Sequence, residues 1–177
     1  MSSADYRLEG GCSCGAVRYV IKQAPLVVHA CHCRNCQNQT GGWHAVNALV
    51  ESKYVEQQQG VVADWELPTP SGAGQAVRRC VECGVAVWST YRRLTRGHDD
   101  LVRFVRVGTL DNPSLLRPDV HIFDSERNAM APEPVGAPRY AQFYSLEEVW
   151  RPDSLVRFKA LLEALPRRHE ERASVAG

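Results

Sequence analysis

Seven cysteines in three short groups constrain this chain more than any other feature. The groups are Cys12-Ser13-Cys14, Cys31-His32-Cys33-Arg34-Asn35-Cys36 and Cys80-Val81-Glu82-Cys83. An odd number of cysteines cannot all pair as disulfides, and clustered cysteines of this kind are typical of metal sites. A closed structural zinc site takes four ligands, whereas a catalytic site takes three and keeps one position open. Seven cysteines therefore suit one zinc site of each kind, two ions per chain.

The spacing within each group favours a particular role. Cys80-x-x-Cys83-Gly84 has the pattern of a zinc knuckle, in which a glycine lets backbone amides point at the sulfurs. Cys12-x-Cys14 places two side chains on one face of an extended segment, because strand periodicity is two. These two pairs together could form a closed four-sulfur site. Cys31-x-Cys33-x-x-Cys36 could surround a second ion from one loop.

Spacing alone leaves another partition open. Cys33 and Cys36 could instead share one zinc with Cys80 and Cys83, as in a two-knuckle ribbon. Cys12, Cys14 and Cys31 would then lie outside that site. Either His29 or His44 could also close the second site and make it structural. His32 would point away from the ion if the backbone is extended, and His121 is a candidate acid or base in a pocket.

Composition restricts the class of protein. The chain has 177 residues, 44% of them hydrophobic, which suits one globular domain. The net charge is +1 and no long basic block occurs, so we expect no nucleic-acid partner. No apolar run approaches roughly 18 residues, so we expect no membrane partner. The polar start Met1–Tyr6 lacks the pattern of a signal peptide, and we therefore expect a cytoplasmic protein with reduced thiols.

The hydrophobic patterns are mostly those of strands. Predicted strands are Ala16–Lys22, Trp43–Val50, Val61–Leu67, Gln75–Arg79, Val85–Tyr91, Leu101–Val107 and Val120–Phe123. Ser145–Glu148 has a capping-box pattern and predicts a short helix. An amphipathic C-terminal helix is predicted from a stripe of apolar residues that ends at Pro166: Leu155, Phe158, Leu161, Leu162 and Leu165. Asn128–Pro138, with three prolines, is predicted to be irregular, and Arg167–Gly177 a frayed tail.

These groups of residues together resemble the glutathione-dependent formaldehyde-activating enzyme family. The resemblance rests on Gly10–Tyr19, Cys31–Gln37 and Cys80–Gly84, and it extends to Val107–Asp111 and to Pro118-x-x-His121-Ile122. It covers about residues 8–125. Members often have an aromatic residue and a proline soon after the His-Ile segment, whereas residues 124–130 here contain no Trp.

The resemblance implies a ligand partition that the spacing left open. It implies a structural zinc held by Cys12, Cys14, Cys80 and Cys83, and a catalytic zinc held by Cys31, Cys33 and Cys36. The implied fold is a mainly β structure, the β-tent of two twisted antiparallel sheets pinned by zinc. We expect that domain to span residues 1–125, with the irregular segment and C-terminal helices of residues 126–177 packed on it.

The implied activity is reversible carbon–sulfur bond formation or cleavage on glutathione, or on another thiol or its adduct, as in S-(hydroxymethyl)glutathione synthesis. The alternatives are a non-catalytic zinc-binding module and a thiol redox sensor that releases zinc on oxidation. The related centromere protein V carries a basic low-complexity tail, and its absence here disfavours a chromatin role.

Overall fold

Two β-sheets form most of the protein, in a computed structural model that describes residues 6–98, 100–133 and 135–165. The small sheet has three antiparallel strands in the order β1-β2-β5. They are β1 (Leu8–Gly11), β2 (Arg18–Ile21) and β5 (Val55–Gln59).

The large sheet has seven strands in the order β10-β3-β4-β9-β8-β7-β6. They are β3 (Val27–Cys31), β4 (Ala45–Glu51), β6 (Val62–Leu67), β7 (Gln75–Cys80), β8 (Ala86–Tyr91), β9 (Val102–Arg106) and β10 (Val120–Ile122). Every pairing is antiparallel except that of β10 with β3, which is parallel. The expectation of a mainly β, two-sheet fold is thus confirmed, with one parallel pair at the edge.

Apolar residues fill the space on both faces of the large sheet. On one face, Tyr19 of the small sheet meets Trp88 edge to face, with ring centroids 5.8 Å apart. This core cluster also contains Cys12 and Cys80. The other face carries a second core cluster, which contains Cys31, Cys36 and residues of the C-terminal segment. Both faces of β3 are therefore covered, and all five of its residues are buried.

Three helices complete the fold: α1 (Arg34–Thr40), α2 (Leu146–Val149) and α3 (Pro152–Glu163). Trp150, just before α3, and Phe158, within α3, are both buried in the second core cluster. These two side chains hold the C-terminal segment against the large sheet. The predicted amphipathic helix is confirmed as α3. The capping box is not, because the Ser145 hydroxyl donates to the Glu147 carboxylate instead of capping the backbone of α2.

The remaining predictions have mixed outcomes. Residues 128–133 and 135–138 contain no strand or helix, as expected. The predicted tail, Arg167–Gly177, lies outside the described residues, and the division of the chain at residue 125 stays a prediction. Among the described residues, no helix has both the length and the apolar character needed to cross a membrane.

Candidate metal centres

Four cysteine sulfurs converge where the two sheets approach each other. They belong to Cys12 and Cys14 in the turn between β1 and β2, to Cys80 at the end of β7, and to Cys83 in the turn before β8. These four Sγ atoms, here called the four-cysteine cluster, lie within 4.8 Å of one another. The cluster therefore ties the small sheet to the large one.

Tight backbone turns on both sides bring the four sulfurs together. Gly84 has a φ of +72°, a conformation that side-chain-bearing residues rarely adopt, and its N–H donates to the Cys80 carbonyl at 2.9 Å. On the other side, the Val17 N–H donates to Cys12 Sγ at 3.2 Å. An N–H···S bond of this kind stabilises a thiolate ligand, so the Cys12 sulfur is placed as a metal ligand would be.

The sulfur spacing fits a tetrahedral zinc ion. A Zn–S bond of about 2.3 Å implies a separation of roughly 3.8 Å between neighbouring sulfurs. Cys14 Sγ lies 3.8 Å from Cys80 Sγ and 3.3 Å from Cys12 Sγ. Four thiolates would complete such a tetrahedron, and four cysteine ligands are the composition of a closed structural zinc site.

Three further sulfurs form a second group, here called the three-cysteine cluster. Cys31 is the last residue of β3, Cys33 is the N-cap of α1, and Cys36 lies within α1. Their Sγ atoms also lie within 4.8 Å of one another. The Cys36 N–H donates to Cys33 Sγ at 3.4 Å, so the first turn of the helix sets the spacing of these two ligands.

No fourth protein ligand joins this cluster within the described ranges, 6–98, 100–133 and 135–165. His29 instead hydrogen-bonds through Nε2 to the Tyr144 hydroxyl at 2.5 Å, and the His44 ring lies against that of His32, with centroids 4.9 Å apart. The open alternative in which His29 or His44 closes the second site is not what the structure adopts. Cys33 is half-buried, so the cluster is reachable from its side.

The thiols of the three-cysteine cluster polarise one another. Hydrogen bonds from Cys31 and Cys36 lower the pKa of Cys33, whereas the pKa of Cys31 is raised because it shares protons with both neighbours and is buried. Cys33 is therefore the sulfur at which a first negative charge is stabilised. A bound cation would favour deprotonation of all three.

Three histidine rings stand together beside the three-cysteine cluster. His32 Nε2 lies 3.0 Å from His121 Nδ1, and the His32 ring also contacts His44. Burial lowers the pKa of His32 to about 4 and also lowers that of His121. As predicted, His32 does not join the sulfurs. The parallel pairing of β10 with β3 brings His121 to this place.

A cavity of about 550 Å³ opens next to α1. It is bordered by the end of α1, the start of β4, the knuckle before β8 and the end of β9. Its lining residues include Gln39, His44, Arg79, Cys83 and Arg106. Arg106 is 7% exposed and is therefore buried. Cys83 of the four-cysteine cluster lines this cavity, and the end of α1, the helix that carries Cys36, forms another side of it.

Sequence reasoning did not find the two arginines of this cavity. Neither Arg79 nor Arg106 stands in a motif, and each lies on a strand where an arginine normally reaches solvent. The only signal was indirect, since Arg106 precedes Val107–Asp111, a segment of the family resemblance. The cross-strand pairing of Arg106 with Asn47 is what places it inside.

Comparison with known proteins supports the family suggested by these sites. No curated protein matches the chain significantly. Among solved structures, the crystal structure of a Rhodobacter sphaeroides protein, a structural genomics target, matches 75% of this chain and 100% of its own at 17% identity and a TM-score of 0.46. The model of the glutathione-dependent formaldehyde-activating enzyme family matches residues 7–126, which include all seven cysteines. The chain therefore belongs to the glutathione-dependent formaldehyde-activating enzyme family.

Proposed function

We propose that this protein is a zinc-dependent carbon–sulfur lyase acting on a thiol or its aldehyde adduct, of the S-(hydroxymethyl)glutathione type. The observation that carries the proposal is the three-cysteine cluster, which has three converging thiols, no fourth protein ligand among the described residues and a cavity beside its helix. Family membership supports the same class of reaction.

The two clusters take different roles in this proposal. The four-cysteine cluster would hold a zinc that serves the fold, because four thiolates leave no position for a substrate. The three-cysteine cluster would hold the working zinc. Zinc bound there would supply positive charge that favours the thiolate form of an incoming thiol or polarises a carbonyl oxygen.

The reaction itself balances without any further reactant. In the direction of synthesis, the thiol loses its proton, its sulfur forms a bond to the carbonyl carbon, and the carbonyl oxygen takes up a proton. Cleavage reverses each step. We propose His121 as the group that moves this proton, since its Nδ1 is hydrogen-bonded to the ring of His32, the residue between two of the cluster's cysteines.

The direct test is an activity assay with a variant of the three-cysteine cluster. Formation of S-(hydroxymethyl)glutathione from glutathione and formaldehyde can be followed by NMR exchange between the free and adduct signals. We expect wild-type protein to accelerate exchange and Cys36→Ala to lose that acceleration while the fold and one zinc per chain remain. Asn38→Ala, an exposed change on the same helix, serves as the control. Full activity of Cys36→Ala with a single zinc would contradict the proposal.

A second candidate, a thiol redox sensor, is favoured by one observation. Cys33 is half-buried and its pKa is lowered by two neighbouring thiols, the environment in which oxidation is selective. A sensor would release one zinc on peroxide treatment and recover it after reduction. Unchanged metal content under mild peroxide would exclude this role.

A further inference from the structure

Gln37 is a buried amide next to the three-cysteine cluster that bonds to two backbone carbonyls. It follows Cys36 in α1 and is 7% exposed. Its Nε2 donates to the His32 carbonyl at 2.6 Å and to the Glu126 carbonyl at 2.9 Å. A carbonyl oxygen can only accept a hydrogen bond, so both N–H groups of the Gln37 amide are used here.

The carbonyl of His32 depends on a side chain because it lies between two elements. The strand β3 ends at Cys31, and Cys33 is already the N-cap of α1. The bonds of the sheet and of the helix therefore leave this buried carbonyl to another partner, and a buried carbonyl without a partner is costly. Gln37 supplies the partner from within α1. The segment Cys31–Cys36, here called the cysteine loop, is thus tied to its own helix by a bond that involves no sulfur.

The second bond of the Gln37 amide joins the cysteine loop to the segment after β10. Glu126 is the last residue of a short 3₁₀ turn in that segment, and its carboxylate accepts the Arg34 N–H at 2.8 Å. Just before this turn, Phe123 has a φ of +55°, a left-handed conformation that bulky residues rarely adopt. Such a conformation costs free energy and persists only where surrounding contacts hold it. The bonds from α1 to Glu126 are contacts of this kind.

These bonds also fix His32 relative to His121. The His32 N–H donates to the Ile122 carbonyl at 2.9 Å, and its ring lies within hydrogen-bond distance of the His121 ring. Its carbonyl is the third point of attachment, and Gln37 holds it. Both sequence neighbours of His32 are cysteines of the cluster. Release of its carbonyl would therefore loosen the spacing of the sulfurs and their position relative to His121.

We propose that Gln37 is a positioning residue for the three-cysteine cluster. Its amide holds the cysteine loop and the segment after β10 in the arrangement that lets three sulfurs bind one metal ion. Removing a group that orients metal ligands typically lowers metal affinity by about 10–100-fold. The inference rests on the metal-binding part of the proposed function and is independent of the reaction that the site performs.

Zinc affinity and a cobalt spectrum test this role without any substrate. The zinc-loaded protein is titrated with a competing chelator, and Co²⁺ exchanged into the three-cysteine cluster reports ligand geometry through its visible absorption. Gln37→Met keeps the length of the side chain and removes both donors. We expect it to lower the zinc affinity of the three-cysteine cluster by about 10–100-fold and to change the cobalt spectrum. The zinc affinity of the four-cysteine cluster should not change.

Further variants separate the two donors from the size of the side chain. Gln37→Glu keeps the shape and replaces the amide donors by a carboxylate, so it should lose zinc affinity at least as strongly. Asn38→Met, an exposed change on the same helix, should keep the wild-type affinity and spectrum. If Gln37→Met does not fold, Gln37→Asn carries the test. Its amide reaches one methylene less far, and a smaller loss in the same direction is expected.

A purely structural role would give a different result. Lower stability of the Gln37 variants with wild-type zinc affinity and cobalt spectrum would overturn the inference. An equal loss of zinc affinity at both clusters would also overturn it, because the effect would not be specific to the cysteine loop.

The outcome is separate from that of the lyase assay. Weaker zinc binding in Gln37→Met, together with a wild-type protein that has no lyase activity, would leave the positioning role standing and contradict the proposed function. Lyase activity in wild type, together with unchanged zinc binding in Gln37→Met, would contradict the positioning role alone.

Discussion

Two glycines that flank the first cysteine pair explain why these ligands need particular neighbours. A Cβ atom on Gly11 would lie 2.3 Å from the Val17 carbonyl oxygen, the group that accepts the Cys12 N–H. Gly15 has a φ of +79° and closes the same turn. Gly11 thus leaves room for the backbone of the turn, and Gly15 supplies a backbone conformation that side-chain-bearing residues rarely adopt.

The fold strongly constrains the charge state of His29. Trp150 donates to the Tyr144 hydroxyl at 2.7 Å, which leaves the Tyr144 proton free to be donated to His29 Nε2. Burial lowers the pKa of His29 to about 3, and its ordinary value is about 6.5. The unfolded chain therefore binds more protons between these values, so stability is fully present above pH 6.5 and declines as the pH falls towards 3.

This difference predicts how stability depends on pH. When the pH is lowered from 7.5 to 5, the unfolding free energy should fall by about 2 kcal/mol because of His29. Urea unfolding at both pH values measures the loss, and His29→Gln should show a loss smaller by about that amount. Phe158→Leu, which destabilises the fold without removing a titrating group, should keep the wild-type difference. An identical pH dependence in wild type and His29→Gln would contradict this account.

At the scale of elements, most strands were predictable from their β-favouring residues, whereas β1, β3 and β5 were not predicted. Val85–Tyr91 was predicted from its β-favouring residues and is β8 with one residue fewer. Val27–Cys31 was missed although it is β3, because a strand buried on both faces lacks the alternation that identifies a strand. Helix α1 was missed because it is short and has ordinary polar residues.

The candidate site was likewise predictable in its ligands and not in its surroundings. Cysteine spacing is a local property, so both clusters could be anticipated from the chain and the family resemblance. The contact of His121 with His32 depends on a parallel strand pairing across almost 90 residues, for which the sequence carries no signal. The burial of Arg106 depends in the same way on the register of β9 against β4.

The last helix is joined to the large sheet by one buried ion pair. Arg157 of α3 donates to the carboxylate of Glu51 on β4, through Nε at 2.8 Å, and also to the Ala24 carbonyl at 3.0 Å. The Glu51 side chain is 3% exposed. Removing one partner of such a pair leaves the other buried and unpaired, which is far more costly than losing a surface pair.

Arg157→Ala should therefore destabilise the protein by about 3–5 kcal/mol in urea unfolding. The double variant Arg157→Met and Glu51→Leu should recover most of that loss, because no charge is left unpaired. Arg7→Ala, which removes an exposed pair with Glu9, should cost no more than about 1 kcal/mol. An equal cost for the two single arginine variants would show that the buried pair does not hold α3.

At the scale of the whole molecule, the two cysteine clusters occupy different structural positions. The four-cysteine cluster joins turns from both sheets, and two of its members belong to the core cluster between them. The three-cysteine cluster lies within the six residues Cys31–Cys36, at one end of β3 and on the other face of the large sheet. We therefore expect loss of the first to unfold the protein, and loss of the second to leave the fold intact.

The most direct test of this division of roles is zinc per chain by elemental analysis. Wild-type protein should contain two zinc ions, and the Cys31, Cys33 and Cys36 triple alanine variant should contain one and keep its fold by circular dichroism. Cys83→Ala should fail to fold, because a structural zinc contributes folding energy directly. Added glutathione should change the metal environment in wild type only. A single zinc ion in both wild type and the triple variant would contradict the account, because the three-cysteine cluster would then hold no working metal.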